Sequence, residues 1–159
     1  MLLARLGLRA GEIAALTLED IDWEAGRLRV CGKGGRECHL PLPTDVGEAV
    51  ATYLQHGRPT STSRCLFLRT RAPIRGLKQS GAVGSIVKRA LVRAGINSPR
   101  KGAHQFRHAL ATQMLRQGAS LSEIGELLRH RSPQTTTIYA KVDLVALRAL
   151  ALPWPGGAQ

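Results

Sequence analysis

The stretch His104-Gln105-Phe106-Arg107-His108-Ala109-Leu110-Ala111-Thr112-Gln113-Met114-Leu115-Arg116-Gln117 predicts a single helix, closed by Gly118, a residue free to take the left-handed conformation that ends helices. His104 and Arg107 stand at i and i+3 on it and project from one face. Ser120 caps the next helix, with Glu123 three residues on completing a capping box, and that helix ends near His130. Ser132-Pro133, a cap followed by proline at the first helical position, opens a short helix leading to Tyr139. Asp143 caps a last helix to about Leu150, and Pro153 and Pro155 follow it.

Upstream, Ser80 to Ala94 is helical in pattern, with Val83, Ile86, Val87, Ala90 and Leu91 on one face and Lys88, Arg89 and Arg93 largely off it. Residues 2–8 look like the last turns of a helix, and Arg9 to Leu16 predicts a short amphipathic one; Asp20-Ile21-Asp22 reads as a turn. Arg27-Leu28-Arg29-Val30-Cys31 and Glu37-Cys38-His39-Leu40 alternate polar with apolar, as half-buried strands do, around the glycine-rich tip Gly32-Lys33-Gly34-Gly35-Arg36. Thr44-Asp45 starts a helix to about Gln55, and Cys65-Leu66-Phe67-Leu68 is expected to supply a third strand. The fold class is therefore α+β, mainly helical, with a small antiparallel three-stranded sheet at one edge.

Composition narrows the function. The 159 residues carry 23 Lys+Arg against 11 Asp+Glu, a net charge of +12, which favours polyanionic partners and nucleic acid first among them. Aromatic content of 4% argues against base-stacking RNA modules and for backbone and duplex binding. No uncharged apolar run approaches a membrane span, and Arg5 and Arg9 interrupt the N-terminal apolar residues, against a secretory signal. Three cysteines, an odd number, fit a reducing, cytoplasmic setting better than a disulfide framework.

Conventional sites fall away quickly. Gly32-Lys33-Gly34 lacks the spacing and hydroxyl residue of a phosphate-binding loop. His104 and His108 have helical zinc-ligand spacing, but Gln105 stands where a zinc hydrolase needs glutamate, and Arg107 would repel the metal. Cys38 and His39 point to opposite faces of a strand, so Cys31 and Cys38 are expected as buried sheet residues and not as ligands. What remains is Arg9, Lys33, His104, Arg107, His130 and Tyr139. Singly, each has an ordinary reading as a surface cation, turn residue, helix-end charge or core aromatic. Their combination does not.

The order and spacing resemble the catalytic domain of the tyrosine recombinases, the phage-integrase type. Leu6-Gly7-Leu8-Arg9-Ala10-Gly11-Glu12-Ile13-Ala14-Ala15-Leu16 with Asp20-Ile21-Asp22 resembles the family's first arginine box. Gly32 to Arg36 followed by Leu40-Pro41-Leu42 is similar to its lysine hairpin, and His104-Gln105-Phe106-Arg107-His108 to its His-x-x-Arg-His helix. Leu127 to His130, then Thr135-Thr136-Thr137-Ile138-Tyr139, fits its second histidine and its nucleophile nine residues later. With His 5 and Tyr 2 in 159 residues, that His and Tyr would fall at both positions by composition with a chance on the order of 4 × 10⁻⁴.

The resemblance implies cleavage and rejoining of DNA through a 3′-phosphotyrosyl bond made by Tyr139. Arg9 and Arg107 suit bidentate clamping of the phosphate oxygens, with Glu12 one turn from Arg9 to hold its guanidinium. Lys33 resembles the general acid, His104 the residue that helps accept the tyrosine proton, and His130 a donor to a non-bridging oxygen. No cofactor and no metal is expected. Lys88, Arg89, Arg100 and Lys101 are expected along neighbouring DNA backbone. Residues 1–159 would be a catalytic domain without the family's N-terminal DNA-clamp domain. The partners implied are double-stranded DNA and further recombinase subunits on it, with the free chain mostly monomeric and residues 143–152 exchanged between subunits. Rival readings are a DNA-binding remnant without autonomous recombination and a type IB topoisomerase-like nicking and closing activity.

Overall fold

In the computed structural model, which describes residues 1–32, 35–77, 80–96, 102–130, 132 and 135–137, two short helices open the chain, α1 (Leu2–Arg5) and α2 (Ala10–Ala15). A 3₁₀ turn at Leu18–Asp20 leads to the strands β1 (Ile21–Asp22), β2 (Arg27–Cys31) and β3 (Glu37–Pro41). Helix α3 (Thr44–Thr52) runs into a π turn, Tyr53–Gly57, and an irregular segment precedes α4 (Ser80–Arg93), α5 (His104–Arg116) and α6 (Leu121–Leu127). The expected mainly helical fold with a small antiparallel sheet is what forms. The chain divides into two compact units, Met1–Arg107 and His108–Gln159.

In the first unit, the sheet follows the alternation of its residues. Its order is β1-β2-β3, all antiparallel, with Leu28 opposite Leu40 and Val30 opposite Cys38. Leu28, Val30 and Leu40 turn inward and are buried, joining Leu8, Leu16, Val46 and Leu66 in one core. Arg29, on the other face, bonds the buried Asp20 from Nε at 2.9 Å and Nη2 at 2.8 Å, while Asp20 also accepts the backbone N–H and the hydroxyl of Thr17. Helix α4 adds Val83, Val87 and Leu91 to the buried side.

Three expectations are corrected. The third strand is Ile21–Asp22, read from sequence as part of a turn; Cys65 and Leu68 make only isolated bridges, to Thr17 and Gly76. The tight 22–27 turn brings β1 onto β2 at once, and Arg58 occupies the Ser63, Cys65 and Leu66 carbonyls that a longer strand would need. Cys31 is exposed and Cys38 and Cys65 are half-buried, all three as free thiols, because Val30 takes the inward position on β2 and leaves Cys31 on the other side. On α4 the inward stripe is only 83, 87 and 91, so Ile86, at 46% exposure, and Ala90 stand outside it.

In the second unit, Ala111 packs with Ile124 and Leu128, flanked by Leu110, Met114, Leu115 and Ala119. Gly118 has φ +90°, as its place after α5 demands. The Ser120 capping box is complete: Ser120 Oγ accepts the Glu123 N–H at 3.2 Å, and Glu123 Oε2 accepts the Ser120 N–H at 2.7 Å. The expected helix from Ser132 to Tyr139 is described only at 132 and 135–137, and the expected helix from Asp143 lies outside the described residues. Among the described residues no helix is long and apolar enough to cross a membrane.

Candidate active site

Arg9 stands immediately before α2 with extended backbone, which leaves its own N–H without a helical partner. Glu12, in the first turn, supplies one: its Oε2 accepts the Arg9 backbone N–H and its Oε1 accepts Arg9 Nη1, each at 2.8 Å. Glu12 is buried while the Arg9 side chain is 44% exposed, so the carboxylate is an inner anchor and the guanidinium faces outward.

Arg107 is 2% exposed, and its Nη1 donates to the carbonyl of Gly7. Gly7 has φ +58°, a conformation that a residue with a Cβ adopts only at a cost, and this turn is where the Arg107 fork is held. One of the guanidinium's five donors is thereby assigned and the plane of the fork is set. His104, one turn earlier on α5, is an exposed residue at the helix start. Partial burial of its ring, followed by the positive charges of Arg107 and Arg9, pushes its pKa below the usual value of 6.5. Arg9, His104 and Arg107 line one cleft of about 360 Å³ with Leu8, Ala10, Gly11, Ser80 and Ala103. Two arginines and a histidine biased toward its neutral form can grip an anion and still accept a proton there.

Of the sequence-predicted site residues, the first unit thus brings together Arg9, Glu12, His104 and Arg107. Lys33, Tyr139, Arg100 and Lys101 lie outside the described residues. Lys88 and Arg89 are exposed on α4, and Arg89 shares a groove of about 580 Å³ with Arg69, Arg71 and Arg93. In the second unit His130 stands three residues past the end of α6, and its Nδ1 lies 2.7 Å from Thr136 Oγ1. Tyr53, the other tyrosine, has its hydroxyl occupied by the Leu68 N–H at 3.1 Å and its ring near Phe67. Among the described residues no group of three His, Cys, Asp or Glu is placed to hold a metal ion. Sequence reasoning assigned no role to Gly7, although a glycine two residues before Arg9 was a usable signal.

Residues 1–144 match the model of the Phage integrase family. The chain belongs to that family. It is 66% identical over 157 residues to the "Putative integrase/recombinase y4rA" of Sinorhizobium fredii, across 99% of this chain and 38% of that protein. It is 34% identical over 147 residues to the tyrosine recombinase XerD of Yersinia pestis, across 91% of this chain and 48% of that one. Its fold matches the crystal structure of XerA recombinase with a TM-score of 0.76 at 26% identity, over 94% of this chain and 54% of that chain. The chain thus spans between 38% and 54% of the length of these relatives.

Proposed function

We propose that the chain is the catalytic domain of a site-specific DNA recombinase or integrase that cleaves and rejoins strands through a 3′-phosphotyrosyl intermediate. The observation that carries this reading is the convergence of Arg9, His104 and Arg107 on one cleft in a chain of the phage integrase family. A phosphodiester resists attack because its oxygens are anionic and its alkoxide leaves poorly; Arg9 and Arg107 stabilise the charge that grows on the non-bridging oxygens. Lysine would not reproduce their planar fork. The Tyr139 oxygen attacks phosphorus, its proton passes to neutral His104, the bond from phosphorus to the 5′ oxygen breaks, and Lys33 protonates that oxygen. His130 donates to a non-bridging oxygen. The phosphotyrosyl ester keeps the bond energy, so a 5′ hydroxyl of another strand reseals it by the reverse steps. The structure of the recombinase XerH bound to its difH substrate, matched here at 24% identity and a TM-score of 0.76, has the same fold, and duplex DNA is the partner we assign.

The test is covalent trapping on a nicked duplex whose cleaved end diffuses away. The parent chain is expected to form an adduct and Tyr139→Phe none, with duplex binding nearly equal in both. An adduct that survives in Tyr139→Phe, or one mapped to Tyr53, overturns the assignment; absence of an adduct with the parent chain overturns strand cleavage by this chain.

A further inference from the structure

Thr136 is 2% exposed, and its hydroxyl oxygen lies 2.7 Å from Nδ1 of His130. Gly125, on α6, holds both members of this pair. Its carbonyl accepts the His130 backbone N–H at 2.9 Å, through a chain reversal in which Arg129 takes φ +53°. Its lack of a side chain makes room for Thr136, because a Cβ at position 125 would stand 3.0 Å from Thr136 Oγ1. Backbone of one residue, side chain of another and a left-handed turn therefore converge to set one short contact on one ring nitrogen.

That contact has a chemical consequence. A neutral imidazole carries its single proton on either nitrogen, and the partner of one nitrogen decides which. A hydroxyl can donate or accept. When His130 is neutral, Thr136 Oγ1–H donating to Nδ1 leaves the proton on Nε2. When His130 is charged, both nitrogens carry protons and Oγ1 accepts from Nδ1. With the hydroxyl donating to the neutral ring and accepting from the charged one, Nε2–H is a donor in both states. We propose that Thr136 is a positioning residue that keeps the proton of His130 on Nε2, so that the ring offers N–H to an anionic oxygen of the phosphodiester. This assignment rests on the reading above in which His130 donates to that oxygen. Valine at 136 would fill the same space and remove the hydroxyl; serine would keep it.

The experiment is a long-range proton–nitrogen correlation of the histidine rings in the nitrogen-15-labelled full chain, recorded without DNA at about pH 8, where an imidazole of ordinary pKa is neutral. The Nε2–H tautomer of His130 is expected in the parent chain and in Thr136→Ser, and a mixture with Nδ1–H in Thr136→Val. An Nδ1–H tautomer in the parent overturns the proposal without any variant, and so does an unchanged Nε2–H tautomer in Thr136→Val. In the trapping assay Thr136→Val is expected to cleave on the order of 10-fold more slowly, less than the 10²–10³ lost with a transition-state donor itself, and Thr136→Ser to recover most of the rate. The spectrum is read without DNA. Failure of the parent chain to form an adduct therefore overturns the strand-cleavage reading, while the spectrum alone decides the Thr136–His130 assignment.

Discussion

Glu12 is a buried carboxylate whose two oxygens take two donors from Arg9, and neutralising it is expected to be felt twice. In Glu12→Gln one amide position turns a donor toward donors, so the folded chain is expected to lose about 1–3 kcal/mol in urea unfolding, the range for a buried polar group left unsatisfied. The Arg9 guanidinium also loses its anchor, so trapping on DNA slows. An unchanged urea midpoint would show that Arg9 holds its position without Glu12. At His104 the direction of the pKa shift sets the sign of a pH effect. Its folded value lies below the unfolded value of about 6.5, so the unfolded chain binds more protons across that interval. The corresponding stability is present above about pH 6.5 and is lost as pH falls through the lower folded value. An NMR titration is expected to put the His104 midpoint below that of an unstructured histidine, and Arg9→Gln to move it upward by removing one positive neighbour. A midpoint above 6.5 would show that the cleft does not disfavour the imidazolium.

At the level of elements, the glycines separate close approach from helix propensity. A Cβ on Gly76 would run into Cys65 Sγ and stand 2.9 Å from its Cβ, where the Leu68–Gly76 bridge closes the loop on itself. Gly84, inside α4, would carry a Cβ with nothing within 4 Å. Gly76→Ala is expected to cost about 1–3 kcal/mol, as overpacking does, and Gly84→Ala to stabilise by about 0.5–1 kcal/mol through helix propensity. Denaturant midpoints of the two variants should move in opposite directions; a shared direction would mean that the loop yields or that α4 tolerates no side chain there.

For the molecule as a whole, a net charge of +12 on 159 residues is expected to govern how it meets the duplex proposed as its partner. Among the described residues, those lining the groove of Arg69, Arg71, Arg89 and Arg93 include no acidic one, and neither do those lining the Arg9–Arg107 cleft. Duplex affinity is expected to fall steeply with salt as counterions are released, with a slope of about 0.9 per phosphate neutralised. Arg89→Ala is expected to weaken binding similarly across sequences and to reduce that slope by about 1. Fluorescence anisotropy across a salt series measures both, and a flat series would mean that the charge does not meet the backbone.

Much of this molecule is legible one element at a time. The bounds of α4 and α5, the Ser120–Glu123 capping box, the 27–41 hairpin and the shared face of His104 and Arg107 all follow from caps, glycines and periodicity within a few residues. Arg9 and Glu12 belong with these, since their pairing is a single helical turn. Other features needed the folded chain. Arg107 meets Gly7 across 100 residues of sequence, and the third strand is Ile21–Asp22 because the short turn at 22–27 closes on β2 before Cys65–Leu68 can compete. Ile86 is left exposed by the narrowness of the stripe that α4 buries, and Thr136 meets His130 where Gly125 lets a side chain approach bare helix. Local rules act through neighbouring dihedral angles and are written in adjacent residues. Which donor meets which distant acceptor depends on how the whole chain closes around its core, and no pattern within one element encodes that.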